Sequence, residues 1–337
     1  MKPLAISMGC PAGIGPEIII KYFTESHSPS QYPAIVAGDI QVLQYYAAKI
    51  GKECTLLPWK TGTPVPGDNK TIAVYETSHL SRESIRPGIY SSETSCAMVA
   101  AITNSVQGIQ NGLFSGICTC PISKEALQLS GYHYPGHTEM LADLTGSTEQ
   151  VMMMAGKTLK VTLATIHCAL KDVPGLLSEP SLCKLFAKTW KSLQIDFNIT
   201  HPRIAIAALN PHAGEGGMFG NEEKRIIIPA ILKTQKMGYH IQGPYPPDTV
   251  FIKAAAGEFD AVICMYHDQG LIPFKLLHFK DGVNVTIGLN IVRTSVDHGT
   301  AYDIAGKNIA RPDSLIAAVQ MAHTINVNRN IAGNQAN

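Results

Sequence analysis

Three histidines each stand just past a strand-like apolar run: His167 after VTLATI, His212 after IAIAALNP and His267 after AVICMY. Ligands collect at the carboxyl ends of strands in parallel α/β sheets. Three imidazoles delivered there from three strands could hold one divalent ion and leave positions open for substrate. A lone strand-end histidine is more often a hydrogen-bonded loop residue. Here each sits in a loop of polar or small residues (HCALKD, NPHAGEGG, YHDQG), which shifts the balance toward a site. Two other segments invite a ligand. Gly13-Ile14-Gly15-Pro16-Glu17 lacks the GxGxxG spacing, yet its glycines allow close backbone approach at a helix start. The competing reading is a tight structural turn. SVDHGTAYDIAGKN, from Ser295 to Asn308, suits a loop clasping a polar ligand, against the alternative of a solvated connection.

The elements that must position these residues alternate in type. Strand character is read at 3–8, in PAIVAGD, GICTCPI, RIAIAAL, DAVICMY and VNVTIGL, and at 151–154 and 159–166, the last two spaced for a hairpin. Helical spacing is read at 18–23, 41–50, 92–111 and 179–195, in KEALQL, after PGHTE, and from Pro312 to Asn326, with a frayed end beyond. NEEKRIIIPAILKTQKMG reads as one amphipathic helix closed by Gly238, and 58–70 as a loop. Such alternation predicts an α/β fold with a largely parallel sheet.

Composition narrows the function. The chain has 337 residues, 45% hydrophobic and 16% charged, enough for a large core and two lobes. A net charge of +1 with no basic block or acidic tail argues against nucleic acid and anionic membranes. No apolar run is long enough to span a bilayer, and MKPLAISMGC is too short for a signal sequence. Eight scattered cysteines without a CxxC pair suit free thiols in a reducing, cytoplasmic setting.

GIGPE and HGTAYDIAGK resemble the isocitrate and isopropylmalate dehydrogenase superfamily. PGHTE (135–139), ATIH (164–167), LNPHAGE (209–215), MYHDQGLIPFK (265–275), GVNVTIGL (282–289) and RTSVDHGTAYDIAGK (293–307) extend the match over essentially the whole chain. Together they are similar to the 4-hydroxythreonine-4-phosphate dehydrogenase family of vitamin B6 synthesis. The resemblance implies two α/β/α lobes of the isopropylmalate dehydrogenase kind, with the active site in the interdomain cleft. The cofactor lobe would comprise 1–125 and 285–337, and the metal, substrate and dimerisation lobe 126–284. It implies oxidation of the 3-hydroxyl of 4-phosphooxy-L-threonine by NAD, then loss of CO2 to give 1-amino-3-phosphooxypropan-2-one. The enzyme would be a homodimer with shared active sites.

Residue by residue, the resemblance makes His167, His212 and His267 ligands of one divalent metal, and His137, Thr138, Lys275, Asn284 and Arg293 substrate contacts. Gly13, Ile14 and Gly15, with His298, Gly299, Thr300, Ala301 and Asp303, become candidate NAD contacts. Lys275 and Arg293 have the charge, and Asn284, Thr138 and His137 the hydrogen-bonding capacity, that a phosphate dianion calls for. Asp248 and Asp268 are candidates to take the hydroxyl proton, and Asp268 could instead orient His267. Zinc, magnesium, manganese and cobalt stay open, as does NADP in place of NAD. One departure is visible: Cys10 stands where the family usually carries aspartate. It reads as a packed thiol, with a reactive one as the alternative. Rival functions are oxidation of 4-phospho-D-threonate or 4-phospho-D-erythronate, a metal-dependent hydrolase, and a non-catalytic metabolite-binding protein.

Overall fold

The structure, a computed structural model, describes residues 2–26 and 31–335. By contact density the chain forms two units, residues 1–150 with 289–326 and residues 151–288 with 327–337.

The first unit opens with β1 (Leu4–Ser7), α1 (Gly15–Glu25), β2 (Ala34–Gly38), α2 (Ile40–Ile50), β3 (Thr55–Pro58) and β4 (Thr71–Glu76). It continues with α3 (Ser92–Gln110), β5 (Ile117–Thr119), α4 (Lys124–Leu129) and α5 (His137–Thr145). The second unit holds β6 (Val151–Ala155), β7 (Lys160–Leu163), α6 (Val173–Leu176), α7 (Glu179–Ile195), β8 (Ile204–Ala207) and α8 (Ile228–Lys236). Then come β9 (Ile241–Tyr245), α9 (Val250–Ala255), β10 (Ala261–Cys264), α10 (His267–His278) and β11 (Val283–Ile287). The chain closes with β12 (Arg293–Val296) and α11 (Asp313–Gln335).

Strands of the first unit run β3-β4-β2-β1-β5-β12 and pair in parallel throughout. β1 and β2 are buried at every position, as strands covered by helices on both faces must be. β3 and β4 went unread in the sequence. β3 is a mostly exposed edge strand, where Pro58 is tolerated. Residues 126–150 cluster with this unit rather than with the middle lobe of the sequence reading. The cause is apolar: Leu127 of α4 and Met140 and Leu141 of α5 pack with Met98 and Ile102 of α3.

Strands of the second unit run β11-β6-β7-β10-β8-β9. β6 and β7 form the antiparallel hairpin that their spacing suggested, and β11 joins β6 antiparallel. β7, β10, β8 and β9 are parallel. Val161, Leu163, Val262, Cys264, Leu271 and Phe274 fill the core.

Two helices depart from their sequence reading. The 221–238 segment is not one uniform helix: Glu223–Ile227 form a wide π-type turn before α8. Pro229, the second residue of α8, has no N–H for the α-helical ladder. Gly238, at φ 89°, ends the segment as expected. α11 continues past Asn326 to Gln335, where fraying was expected, and residues 336–337 lie outside the described region. Part of its extension is fastened in the second unit, where Arg329 Nε donates to Asp196 Oδ1 at 2.6 Å.

In the first unit a buried carboxylate joins the two glycine-bearing segments. Glu17, fully buried on α1, accepts from the backbone N–H groups of Gly306 and Ala310, each at 3.0 Å. Lys21, one turn on, donates to Glu17 at 3.1 Å and to the Ala310 carbonyl at 2.7 Å. Removing one member of a buried pair strands the other charge. Glu17→Ala is therefore expected to destabilise the fold by about 3–5 kcal/mol, read from denaturant unfolding. An unchanged midpoint would show that Lys21 finds water on its own.

Candidate functional site

In the second unit the three histidines leave three neighbouring strands. β7, β10 and β8 lie side by side in parallel, with Val262 opposite both Val161 and Ala205, so their carboxyl ends share one edge. Buried polar side chains lock those ends. The Thr165 hydroxyl donates to the Met265 carbonyl at 2.8 Å, tying the chain beyond β7 to that beyond β10. The Gln269 amide accepts from Met265 N–H at 2.7 Å and donates to the Ala208 carbonyl at 2.6 Å, tying β10 to β8. The sequence reading passed over both residues. Gln269 lies within the quoted HDQG run, two residues past His267.

His167 and His267 are brought together, with ring centroids 5.8 Å apart. His267 is the first residue of α10 rather than a loop residue. Gly270 and Pro273 disguised that helix, and Gly270 is there for packing: a Cβ would stand 2.9 Å from Cys264 Sγ. His267 Nδ1 meets Asp268 Oδ1 at 2.7 Å. That contact favours Asp268 as the group orienting the ring, with Nε2 turned to a ligand. An open cavity of about 620 Å³ is lined by His167, Cys168, Tyr266, His267 and Asp268.

His212 is placed differently. It begins a run of five residues in the left-handed region, His212 to Gly216, with φ of 52°, 54°, 79°, 42° and 67°. His212, Ala213 and Glu215 carry side chains there, at a cost of roughly 1–2 kcal/mol each. Its ring faces Phe219, centroids 6.2 Å apart. Among the described residues no three His, Cys, Asp or Glu side chains are grouped closely enough to hold a metal ion. The donor types fit a divalent ion: two imidazoles stand adjacent, one oriented by a carboxylate, and the third lies on the loop of the neighbouring strand. Asp248 is exposed in the turn after β9, Lys275 is exposed on α10, and Asn284 is half-buried on β11.

The first unit carries His137 and Thr138 at the start of α5 and Arg293 at the start of β12. The Arg293 guanidinium is 3% exposed, and its Nη2 donates to Thr119 Oγ1 at 2.9 Å. Burial pulls Arg293 down to about 10, partly offset by Cys118 and Glu139. Burial first, and the charge of Arg293 second, hold His137 well below the ordinary imidazole range. His137 Nε2 is covered and has no hydrogen-bond partner among the described residues. Such an orphan beside a buried cation suits an anionic, hydrogen-bonding ligand. Thr119, which steadies the guanidinium, gave no sequence signal beyond its place between two cysteines.

The candidate cofactor residues divide. Gly13, Ile14 and Gly15 are buried, and Ile14 N–H donates to the Thr300 carbonyl at 3.0 Å. Side chains cannot replace the glycines: a Cβ on Gly13 would stand 2.9 Å from Thr300 O, and on Gly15 2.2 Å from Met8 O. This favours the tight-turn reading for GIGPE, which packs beneath the later loop. In that loop Gly299 and Asp303 are exposed, and His298, Thr300 and Ala301 are half-buried, so it presents its groups to solvent. Cys10 is fully buried, with Tyr302 OH donating to its Sγ at 3.4 Å. Burial pushes the thiol's pKa up. That is a packed thiol, not a nucleophile.

Residues 30–322 match the protein family described as pyridoxal phosphate biosynthetic protein PdxA. The chain is 50% identical over 330 residues to the 4-hydroxythreonine-4-phosphate dehydrogenase of Desulfosudis oleivorans, covering 95% of each chain. It is 42% identical over 339 residues, 96% of each, to a Bradyrhizobium diazoefficiens protein provisionally named D-threonate 4-phosphate dehydrogenase. The crystal structure of 4-hydroxythreonine-4-phosphate dehydrogenase from Klebsiella pneumoniae matches with a TM-score of 0.89 at 39% identity, over 96% of this chain and 98% of that one.

A pH dependence follows from the buried imidazoles. His137 and His323 are both depressed from 6.5, chiefly by burial. The unfolded chain therefore binds protons below about 6.5 that the folded chain refuses. Stability should be intact above that pH and fall as pH drops toward the folded values. Replacing both residues by Asn should flatten the loss, measured as denaturant midpoint against pH. A wild-type midpoint that is flat on acidification would refute the assignment.

Proposed function

Because the chain belongs to the PdxA family of pyridoxal phosphate biosynthesis, and similar chains are named 4-hydroxythreonine-4-phosphate dehydrogenase, we propose that it oxidises 4-phosphooxy-L-threonine at the 3-hydroxyl. The fine chemistry is NAD-dependent and divalent-metal-dependent. C3 loses a hydride and its hydroxyl a proton. The 3-keto acid then loses CO2, and protonation of C2 gives 1-amino-3-phosphooxypropan-2-one. The observation that carries the reading is the convergence of three histidine-bearing strand ends, β7, β10 and β8, on one edge of a sheet whose sequence follows the family from end to end.

His167, His212 and His267 would hold the ion. When bound, it supplies positive charge that lowers the hydroxyl's pKa and stabilises the electrons left by CO2. NAD, when bound along His298–Asp303, supplies the hydride acceptor. Asp268 fixes the His267 ring, which leaves exposed Asp248 as the candidate base. Arg293 and His137 offer charge and a hydrogen bond to the substrate's anionic end, with Thr138, Lys275 and Asn284 as further contacts. A neutral His137 keeps a lone pair or an N–H available without adding a second buried cation.

The alternative of D-threonate 4-phosphate rests on the Bradyrhizobium relative and on Cys10. NADH formation from each substrate, with and without a chelator, tests the choice. Metal-dependent turnover favouring 4-phosphooxy-L-threonine is expected, and preference for the threonate would move the assignment. His212→Ala should abolish turnover with the fold intact. Arg293→Ala should raise KM for substrate far more than for NAD; the reverse would place Arg293 at the cofactor.

We also place the protein in the cytoplasm as a homodimer. All eight cysteines are free, and among the described residues no helix is long and apolar enough to cross a membrane. Ile272 and Leu276 on α10 and Phe279 just past its end, spaced four and three apart, are 67%, 84% and 79% exposed. An apolar stripe this open calls for a cover. Leu276→Glu should give a monomer on sedimentation, and an unchanged dimer would put the interface elsewhere.

A further inference from the structure

Glu223 is a buried acidic side chain, 2% exposed, within the wide turn that precedes α8. Its carboxylate is used up by the base of the His212 loop. Oε1 accepts from the backbone N–H groups of Leu209 and Asn210, at 2.9 and 2.8 Å. Oε2 accepts from Asn210 Nδ2 at 3.0 Å, and Asn210 also donates to Glu222 at 2.8 Å. Gly214 is required where it passes this carboxylate, since a Cβ there would stand 2.7 Å from Oε2. The clamp therefore holds Leu209 and Asn210, the two residues that lead into Pro211-His212, and lies against Gly214 of the left-handed run that carries the histidine.

A run of left-handed residues is not held by its own torsional preferences and needs outside contacts that over-determine it. Gln269 fixes the end of β8 at Ala208, and Glu223 takes over at the next two residues. We propose that Glu223 is the positioning residue for His212, anchoring its loop so that the imidazole is available to the ion held with His167 and His267. The inference rests on the reading of those histidines as metal ligands, and it adds a residue with no metal-binding atom free. Backbone N–H groups held by a carboxylate are charge-assisted. A neutral amide at this position would keep an acceptor but lose that strength, and an alanine would lose both.

The test uses the full-length, metal-free protein and cobalt(II) or zinc(II), with affinity read by competition against a chromophoric chelator. Circular dichroism and thermal unfolding of the metal-free variants report the fold. Wild type should bind one ion per chain, and His212→Ala should weaken it. Glu223→Ala should weaken binding about tenfold to a hundredfold, the range for groups that hold ligands in place. Glu223→Gln should fall between that and wild type, with secondary structure unchanged in both. Wild-type affinity in a folded Glu223→Ala overturns the proposal. Should the alanine variant not fold, Glu223→Gln decides: several-fold weaker binding supports the role, and unchanged affinity overturns it. A wild-type protein that binds neither ion removes the metal reading itself, and the role of Glu223 with it.

Discussion

The second unit's site depends on one side-chain amide. Gln269 uses both its oxygen and its nitrogen, one on the strand end before His267 and the other on the strand end before His212. Each backbone group it meets lies just past a strand, where the ladder has ended and a buried N–H or C=O would otherwise go unpaired. An amide satisfies one donor and one acceptor at once. A carboxylate or an aliphatic chain of the same length would orphan at least one of them. Thr165 repeats the solution toward β7 with a single hydroxyl. The strand ends are thereby fixed by buried contacts, and the histidines stand just beyond them, His267 at the start of α10.

The first unit solves a different problem: keeping charge in a dry interior. Glu17 is buried because it terminates two backbone N–H groups and pairs with Lys21. Its contacts weld the GIGPE turn to the loop through Gly306, with the Ile14–Thr300 bond as the second weld. Arg293 is buried against Thr119, and its charge adds to burial, the larger cause, in holding His137 below the ordinary imidazole range. The motif letters Gly-x-Gly-Pro-Glu thus encode packing between two loops of one unit, and the exposed part of the later loop carries the polar groups.

Legibility followed periodicity. Buried strands such as β1, β2, β8 and β10 announce themselves as short apolar runs, and α2 and α7 carry end signals at Asp39, Gly51 and Ser178. β3 was lost because a mostly exposed edge strand has little apolar pattern to show, and the short inner strand β4 directly follows the Pro-, Gly- and Thr-rich loop. α10 was hidden by Gly270 and Pro273, residues that disfavour helix locally but serve packing and a turn that tertiary contacts hold in place. The three histidines were legible because each follows an apolar run. The residues that hold them were not: Thr165, Gln269 and Glu223 act through backbone groups distant in sequence or on neighbouring strands, and no local spacing signals that.

Cys10 stands where the resemblance leads one to expect aspartate, and its surroundings suit a thiol. The position is fully buried beside Ala12, Met98 and Ile102, under the Tyr302 hydroxyl. A carboxylate there would need donors to offset its desolvation; a thiol needs almost none and fills the space as a small apolar group. The turn is held by backbone bonds, Cys10 N–H to the Pro121 carbonyl and Gly13 N–H to the Cys10 carbonyl, at 2.9 Å each. Backbone rather than side chain therefore shapes the turn, and the buried thiol asks for no charged partner beneath the loop that runs from His298 to Asp303.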